Sequence, residues 1–310
     1  MRFLFPALLV WNDCGVGWGM GITSLWFRVS VDRPVVFQSF SGFASRGIFF
    51  EVLRRCDEGL ASLLHSVKGL APYSTTPIFV DGEGGLRVVY RVLNPSVACL
   101  RICLLDSKLA NLFVDGVLSE AEGGFSVRLV DGEFPLVGLD VRSVDFSEFL
   151  RGSEPVERFS ILFRTPCFFR RPPVPFPSKR GVVRSGFVKR FYPLPIPELL
   201  FRNLVRLWRA FSGKSFNYEG FLEWVDAGGV ALSGFPKGIR TIRVYEHPTA
   251  NKWAVGFIGP VRFHLPEDIY SKKYARIVDM LLKFAEYSNI GGNRTAGFGV
   301  INYINKKDDE

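Results

Sequence analysis

Apolar and polar positions alternate over residues 24–31 (SLWFRVSV), and most of these residues are β-formers, so the stretch predicts a strand. The pattern then changes period. Residues 46–67 read as two helices broken near Asp57, a side chain suited to capping a helix start. The second of them carries Leu60, Leu64 and Val67 on one face. Strands are expected at 74–80 and 86–93, on either side of the turn Asp81-Gly82-Glu83-Gly84-Gly85. A further strand is expected at 96–104 and a helix at 106–119. Residues 125–131 and 135–144 bracket Asp131-Gly132, which predicts a hairpin turn at that dipeptide. Helices interspersed with antiparallel strands make this half α+β.

The second half repeats the mixture. A strand is expected at 158–169 and a helix at 197–212, with Leu200, Leu204, Leu207, Trp208 and Phe211 on one face and Arg202, Arg206 and Arg209 on the other. Strands follow at 229–233, 239–246 and 252–265. The helix at 269–288 has the cleanest period: Tyr274, Ile277, Val278, Leu281, Leu282 and Ala285 point inward, and Lys272, Arg276, Asp279, Lys283 and Glu286 outward. A loop at 289–297 and a strand at 298–304 complete the pattern. The expected organisation is therefore a domain over 20–150 and a second over 151–305, with a short tail at 306–310. Residues 3–11 (FLFPALLVW) are apolar but too short to span a bilayer, are interrupted by Pro6 and precede no small-residue cleavage site. Residues 1–19 are read as an extension, with a start at Met20, and no membrane attachment is expected.

Composition adds a class of partner. The chain of 310 residues is 47% apolar and 22% charged, which is globular, and its formal net charge of +9 favours a polyanion. Five scattered cysteines (Cys14, Cys56, Cys99, Cys103, Cys167) form no CxxC pair, and three histidines (His65, His247, His264) do not complete a zinc set by spacing. No metal or other cofactor is expected, and the odd number and scattered placing of the cysteines fit a reducing, cytoplasmic setting.

Two segments concentrate the charge and the glycine. Residues 170–197 hold seven prolines and a run of cations that includes Lys179, Arg180, Arg184, Lys189 and Arg190, with no acid before Glu198. Such a run serves as an interdomain linker or as a loop that touches phosphates. Phe176, Phe187, Phe191 and Tyr192 lie among the cations and favour the second. Residues 289–299 read Asn-Ile-Gly-Gly-Asn-Arg-Thr-Ala-Gly-Phe-Gly. Here Gly291, Gly292, Asn293, Arg294, Gly297 and Gly299 are candidates to hold RNA backbone, because glycines allow close approach and successive N–H groups cradle phosphate.

An amphipathic helix, then G-x-x-x-x-x-G-F-G from Gly291 to Gly299, then a last strand, resembles proteins of the RAMP superfamily. Residues 60–79 (LASLLHSVKGLAPYSTTPIF), 158–169, 194–211 and 253–265 resemble one branch of it, the CRISPR pre-crRNA-processing endoribonucleases. The resemblance runs over roughly residues 24–305. It implies two tandem ferredoxin-like (RRM-like, βαββαβ) domains with antiparallel sheets. It also implies a metal-independent endoribonuclease that cuts CRISPR repeat RNA by 2′-hydroxyl attack, leaving 2′,3′-cyclic phosphate and 5′-hydroxyl ends. A non-catalytic RNA-binding subunit of a CRISPR effector complex is the alternative, with other effector subunits as partners.

Within that resemblance His65 stands where many members place a catalytic histidine, and an imidazole suits general acid–base work near neutral pH. Lys68 is the nearest cation to stabilise charge on the phosphate, and Tyr73 and Arg46 are candidates for an acid or a further charge. One form of the family site has a Tyr in the preceding helix and a second Lys beyond the His. Phe50 and Ala71 stand at those places here, which leaves the acid unassigned.

Overall fold

The computed structural model describes residues 21–66, 69–121, 124–171, 177–178, 181–182, 190–246 and 253–305. Residues 1–19, Lys68, Lys179, Arg180, Arg184, Lys189, His247 and the 306–310 tail lie outside them. By contact the chain forms two units. The first runs to residue 148 and includes 210–213 and 295–297; the second takes in 149–209, 214–294 and the chain from 298.

The first unit contains β1 (Gly21–Val31), β2 (Val35–Val36), α1 (Gly42–Cys56), α2 (Glu58–Ser66), β3 (Tyr73–Thr75), β4 (Phe79–Val80), β5 (Arg87–Val88), β6 (Val92–Leu93), β7 (Ser96–Leu104), α3 (Ser107–Ala121), β8 (Ser126–Leu129) and β9 (Gly132–Asp145). Its sheet runs β4-β7-β1-β9 with antiparallel neighbours, the ferredoxin-like order. Alternation along β1 turns Leu25, Phe27, Val29 and Val31 inward, against Ile48, Phe49, Val52 and Leu53 of α1 and Phe113 and Val117 of α3. Each such side chain contributes about 1.5–3 kcal/mol on full burial. Asp57 leaves the helical region and its Oδ1 accepts from Leu60 N at 2.8 Å, so it both ends α1 and starts α2.

Several local expectations change, the strand expected at 86–93 being two short ones, β5 and β6. The stretch 74–80 is two short strands and not one, because Pro77 has no N–H to give the ladder. Thr76 holds the gap closed: its N donates to Arg101 O and its Oγ1 accepts from Arg101 N, both at 2.8 Å. The hairpin turns one residue early. Leu129 pairs with Gly132, so Val130 and Asp131 form the turn, with Val130 at φ 55°. Gly132 is needed for space, since a Cβ there would lie 2.8 Å from both Arg33 Nη2 and the Phe134 ring.

α4 (Phe146–Arg151) leads into the second unit, which contains β10 (Arg158–Cys167), β11 (Phe169–Arg171), β12 (Pro177–Ser178), β13 (Gly181–Val182), β14 (Arg190–Tyr192), α5 (Pro197–Phe211), α6 (Tyr218–Trp224), β15 (Ala231–Gly234), β16 (Arg240–Glu246), β17 (Trp253–His264), α7 (Lys272–Ser288) and β18 (Ile301–Asn305). Its sheet order, β15-β17-β10-β18 with β16 also on β17, repeats that of the first unit. Helix α5 buries Leu200, Leu204, Leu207 and Trp208 as its period predicts. Helix α6 has no counterpart in the sequence reading. Asn217 caps it, accepting from Gly220 N at 3.1 Å.

Asp279 overturns one helix-face assignment. It is fully buried, not outward, and takes bonds from Tyr303 Oη at 2.7 Å, Glu154 N at 2.9 Å and Lys283 Nζ at 2.8 Å. Burial, then the Asp279 carboxylate, push the Tyr303 hydroxyl far above the usual tyrosine range. Tyr303 therefore stays protonated in the folded chain at alkaline pH, whereas the unfolded chain ionises it near pH ~10. Its stabilisation is present below pH ~10 and is lost as pH rises beyond that. Thermal melts from about pH 9 to 11 are expected to fall more steeply for wild type than for Tyr303→Phe, by up to ~1.4 kcal/mol per pH unit. Parallel curves would refute this.

Candidate functional site

The break at Asp57 folds α2 back beside α1, and this brings residues 15 apart in sequence into ring contact. Phe50 on α1 meets the His65 imidazole edge-on, with centroids 5.3 Å apart. His65 itself is exposed, on the last turn of α2. An open recess of about 310 Å³ is lined by Phe50, Arg54, Ala61, Ser62 and His65. Arg54 follows Phe50 by one helical turn and is exposed, with no ion pair among the described residues. Its neighbour Arg55 is held by Glu51 at 2.7 Å and Glu120 at 2.6 Å, and those bonds raise its pKa. The recess thus offers an imidazole, a hydroxyl and an unspent guanidinium.

The expected helpers of His65 divide. The Arg46 guanidinium lies 5.5 Å over the Phe50 ring, the same ring that His65 touches. Tyr73 is a core residue instead. It is 1% exposed, and its ring stacks on Phe49 with centroids 3.7 Å apart. Tyr73, a candidate acid by sequence, is not among the residues that line the recess. Arg54 and Ser62 are the residues that sequence reading missed. Arg54 has the look of an ordinary solvated helix cation; the signal was its i+4 spacing from Phe50. Of the other histidines, His264 is half-buried at the end of β17, with Nδ1 2.9 Å from Ser233 Oγ.

The glycine-rich segment is tightly packed. Gly291 N donates to Asn203 Oδ1 at 2.8 Å, and Gly292 N to Phe168 O at 2.9 Å. Gly299 adopts φ 67°, and a Cβ there would collide with Ile290 O, so no other residue fits. Gly297, within the first unit, lies against Pro77 N. Arg294 is 5% exposed and donates to Ser288 O, while Asn289 Nδ2 donates to Arg294 O at 3.1 Å. Arg294, a candidate to hold RNA backbone, is thus buried near the end of α7 with its guanidinium on the Ser288 carbonyl. Asn293 is half-buried, with φ 56°. In the basic segment Arg190 is exposed on β14, which pairs with β11.

Residues 161–301 match the model of the family described as CRISPR-associated endoribonuclease Cas6. Over these residues the chain is similar to Cas6. A Cas6 product complex aligns with 20% identity and a TM-score of 0.71, covering 92% of this chain and 100% of that one. Thermus thermophilus Cas6 aligns with 18% identity and a TM-score of 0.62, covering 92% and 98%. A Cas6-related protein from Pyrococcus furiosus gives 14% and 0.55, covering 92% and 99%. Among curated proteins none matches by sequence. At these identities the structural likeness establishes the Cas6-type fold of two ferredoxin-like halves. The sequence match to Cas6 begins after His65. Among the described residues no helix is long and apolar enough to cross a membrane.

Proposed function

We propose that the protein is an endoribonuclease of the CRISPR system that cuts repeat RNA without a metal. The observation that carries this reading is the open recess lined by exposed His65 and by Arg54, which has no ion pair among the described residues, in a chain of Cas6-type fold. The His65 imidazole takes the proton from a ribose 2′-hydroxyl, whose oxygen attacks the adjacent phosphorus. The P–O5′ bond breaks, and the leaving oxygen takes a proton from solvent, to which the recess is open. Arg54, with Lys68 three residues beyond His65 in sequence, stabilises the charge that builds on the phosphate. Arg46 adds positive charge beside Phe50 but no proton, since a guanidinium keeps its own. The products are a 2′,3′-cyclic phosphate and a 5′-hydroxyl. Half-buried Asn293 and the cations of 170–197 serve to hold the RNA backbone.

Phe50 favours a second reading. A ring with no hydroxyl faces His65 where a proton donor would assist the chemistry, which fits a subunit that holds CRISPR RNA without cutting it. One assay separates the two. Purified protein incubated with its host's repeat RNA in EDTA is expected to release a fragment ending in a 2′,3′-cyclic phosphate. RNA bound but left intact would support the holding subunit. No binding at all would sink both readings.

A further inference from the structure

The second unit carries a second cluster, on the pair β11–β14, that the recess does not use. Arg170 of β11 lies opposite Phe191 of β14. Its guanidinium sits 5.3 Å from the Phe168 ring and 5.4 Å from the Phe191 ring. Its Nη2 donates to Asn293 Oδ1 at 3.1 Å, and the loop that carries Asn293 is itself tied down through Gly292 N on Phe168 O and Gly291 N on Asn203 Oδ1. A surface arginine is ordinarily mobile. This one is fixed by two rings and an amide.

Among the described residues no carboxylate pairs with it. Arg170, Arg171 and Arg190 stand on paired strands, and Arg206 approaches from α5, yet none of the four has an acidic partner among the described residues. Burial, and then the charge of Arg206, lower the Arg170 pKa, as expected of guanidiniums gathered without an anion. Such an arrangement is unfavourable until an anion enters, and a planar, pre-oriented guanidinium suits a phosphate. Beside it Phe191 is 57% exposed, the most exposed Phe in the described structure, while its neighbour Phe168 is 1% exposed and backs it at 5.5 Å. A rigid ring held open to solvent next to a phosphate-binding cation is the pairing that single-stranded nucleic-acid sites use.

We infer that this cluster binds one unpaired nucleotide of the RNA: Arg170 with Arg206 takes a backbone phosphate, and Phe191 stacks on the adjacent base. The inference rests on the RNA-binding reading above, and the test keeps the two apart. Full-length protein is titrated with fluorescent repeat RNA over a range of salt. Phe191→Ala is expected to weaken binding by about 5- to 150-fold with the salt slope unchanged, because a base contact is lost and no charge. Phe191→Trp is expected to restore wild-type affinity. Arg170→Gln is expected to weaken binding and to lower the slope of log K against log salt by ~0.7, the value for one phosphate of a single strand. If wild type binds and Phe191→Ala binds equally well, or Phe191→Trp does not restore affinity, or Arg170→Gln keeps the full slope, the inference is overturned while RNA binding stands. If wild type does not bind repeat RNA, both fall.

Discussion

Replacing His65 with alanine is expected to slow cleavage of repeat RNA about 10²–10⁴-fold, the usual loss when a general base is removed. The geometry makes the test clean. His65 is exposed on the last turn of a short helix, and its ring contact is edge-on to Phe50. Surface changes of this kind shift stability by no more than ~0.5 kcal/mol, so a loss of rate cannot be charged to unfolding. RNA affinity is expected to survive, because the phosphate-holding cations are elsewhere in the sequence. Single-turnover cleavage with enzyme in excess reads the chemical step directly. A variant that cuts at the wild-type rate would remove His65 from the mechanism.

The largest loss of stability is expected from Asp279→Ala, about 3–5 kcal/mol. The buried carboxylate accepts from Tyr303 Oη and Glu154 N and pairs with Lys283 Nζ. Alanine leaves a hydroxyl and a backbone N–H without an acceptor inside the protein, at ~1–3 kcal/mol each. Lys283 is 37% exposed and can return to water, so the ion pair itself contributes the smaller part. Asp279→Asn retains one acceptor oxygen and is expected to lose about half as much. Urea midpoints at neutral pH, with the slope checked for constancy, measure both. Equal midpoints for wild type and Asp279→Ala would show that the network contributes nothing.

Asp279 also shows where a sequence stops being legible. It is four residues after Ala275 and three before Leu282, both buried, so the helical period places it on the edge of the apolar stripe. Composition argued for the outward side because a lone carboxylate is costly to bury. What reverses that is Tyr303, 24 residues later on another element, which periodicity does not see. The strong periods were read correctly: β1, β7, α5 and α7 each lie within a few residues of their expected bounds. Short elements were not. Tyr218–Trp224 has a capping Asn217 and apolar residues at Phe221, Trp224 and Val225, but seven residues give the period little length to declare itself.

The turn at Val130-Asp131 failed for a different reason: Gly132 serves a close approach and not a backbone angle, and both uses look alike in a sequence. At the candidate site, His65 and its neighbour Phe50 were reachable through family resemblance. Arg54 was not, because an unpaired arginine on a helix looks the same as a paired one until Glu51 and Glu120 are seen to choose Arg55.

The glycine-rich segment has a consequence for the order in which the molecule can be made. Thr295–Gly297 counts with the first unit, where Thr295 O accepts from Thr75 Oγ1 at 3.1 Å and Ala296 O lies against Gly42. Most of that unit has been synthesised by residue 148, but these last contacts arrive only when residue 297 does. At ~5–20 residues per second the wait is about 7–30 s, far longer than a small domain needs to collapse. The nascent first unit must therefore pass that interval with Gly42 and Thr75 uncovered, and a fragment ending at 148 would stay in that state permanently.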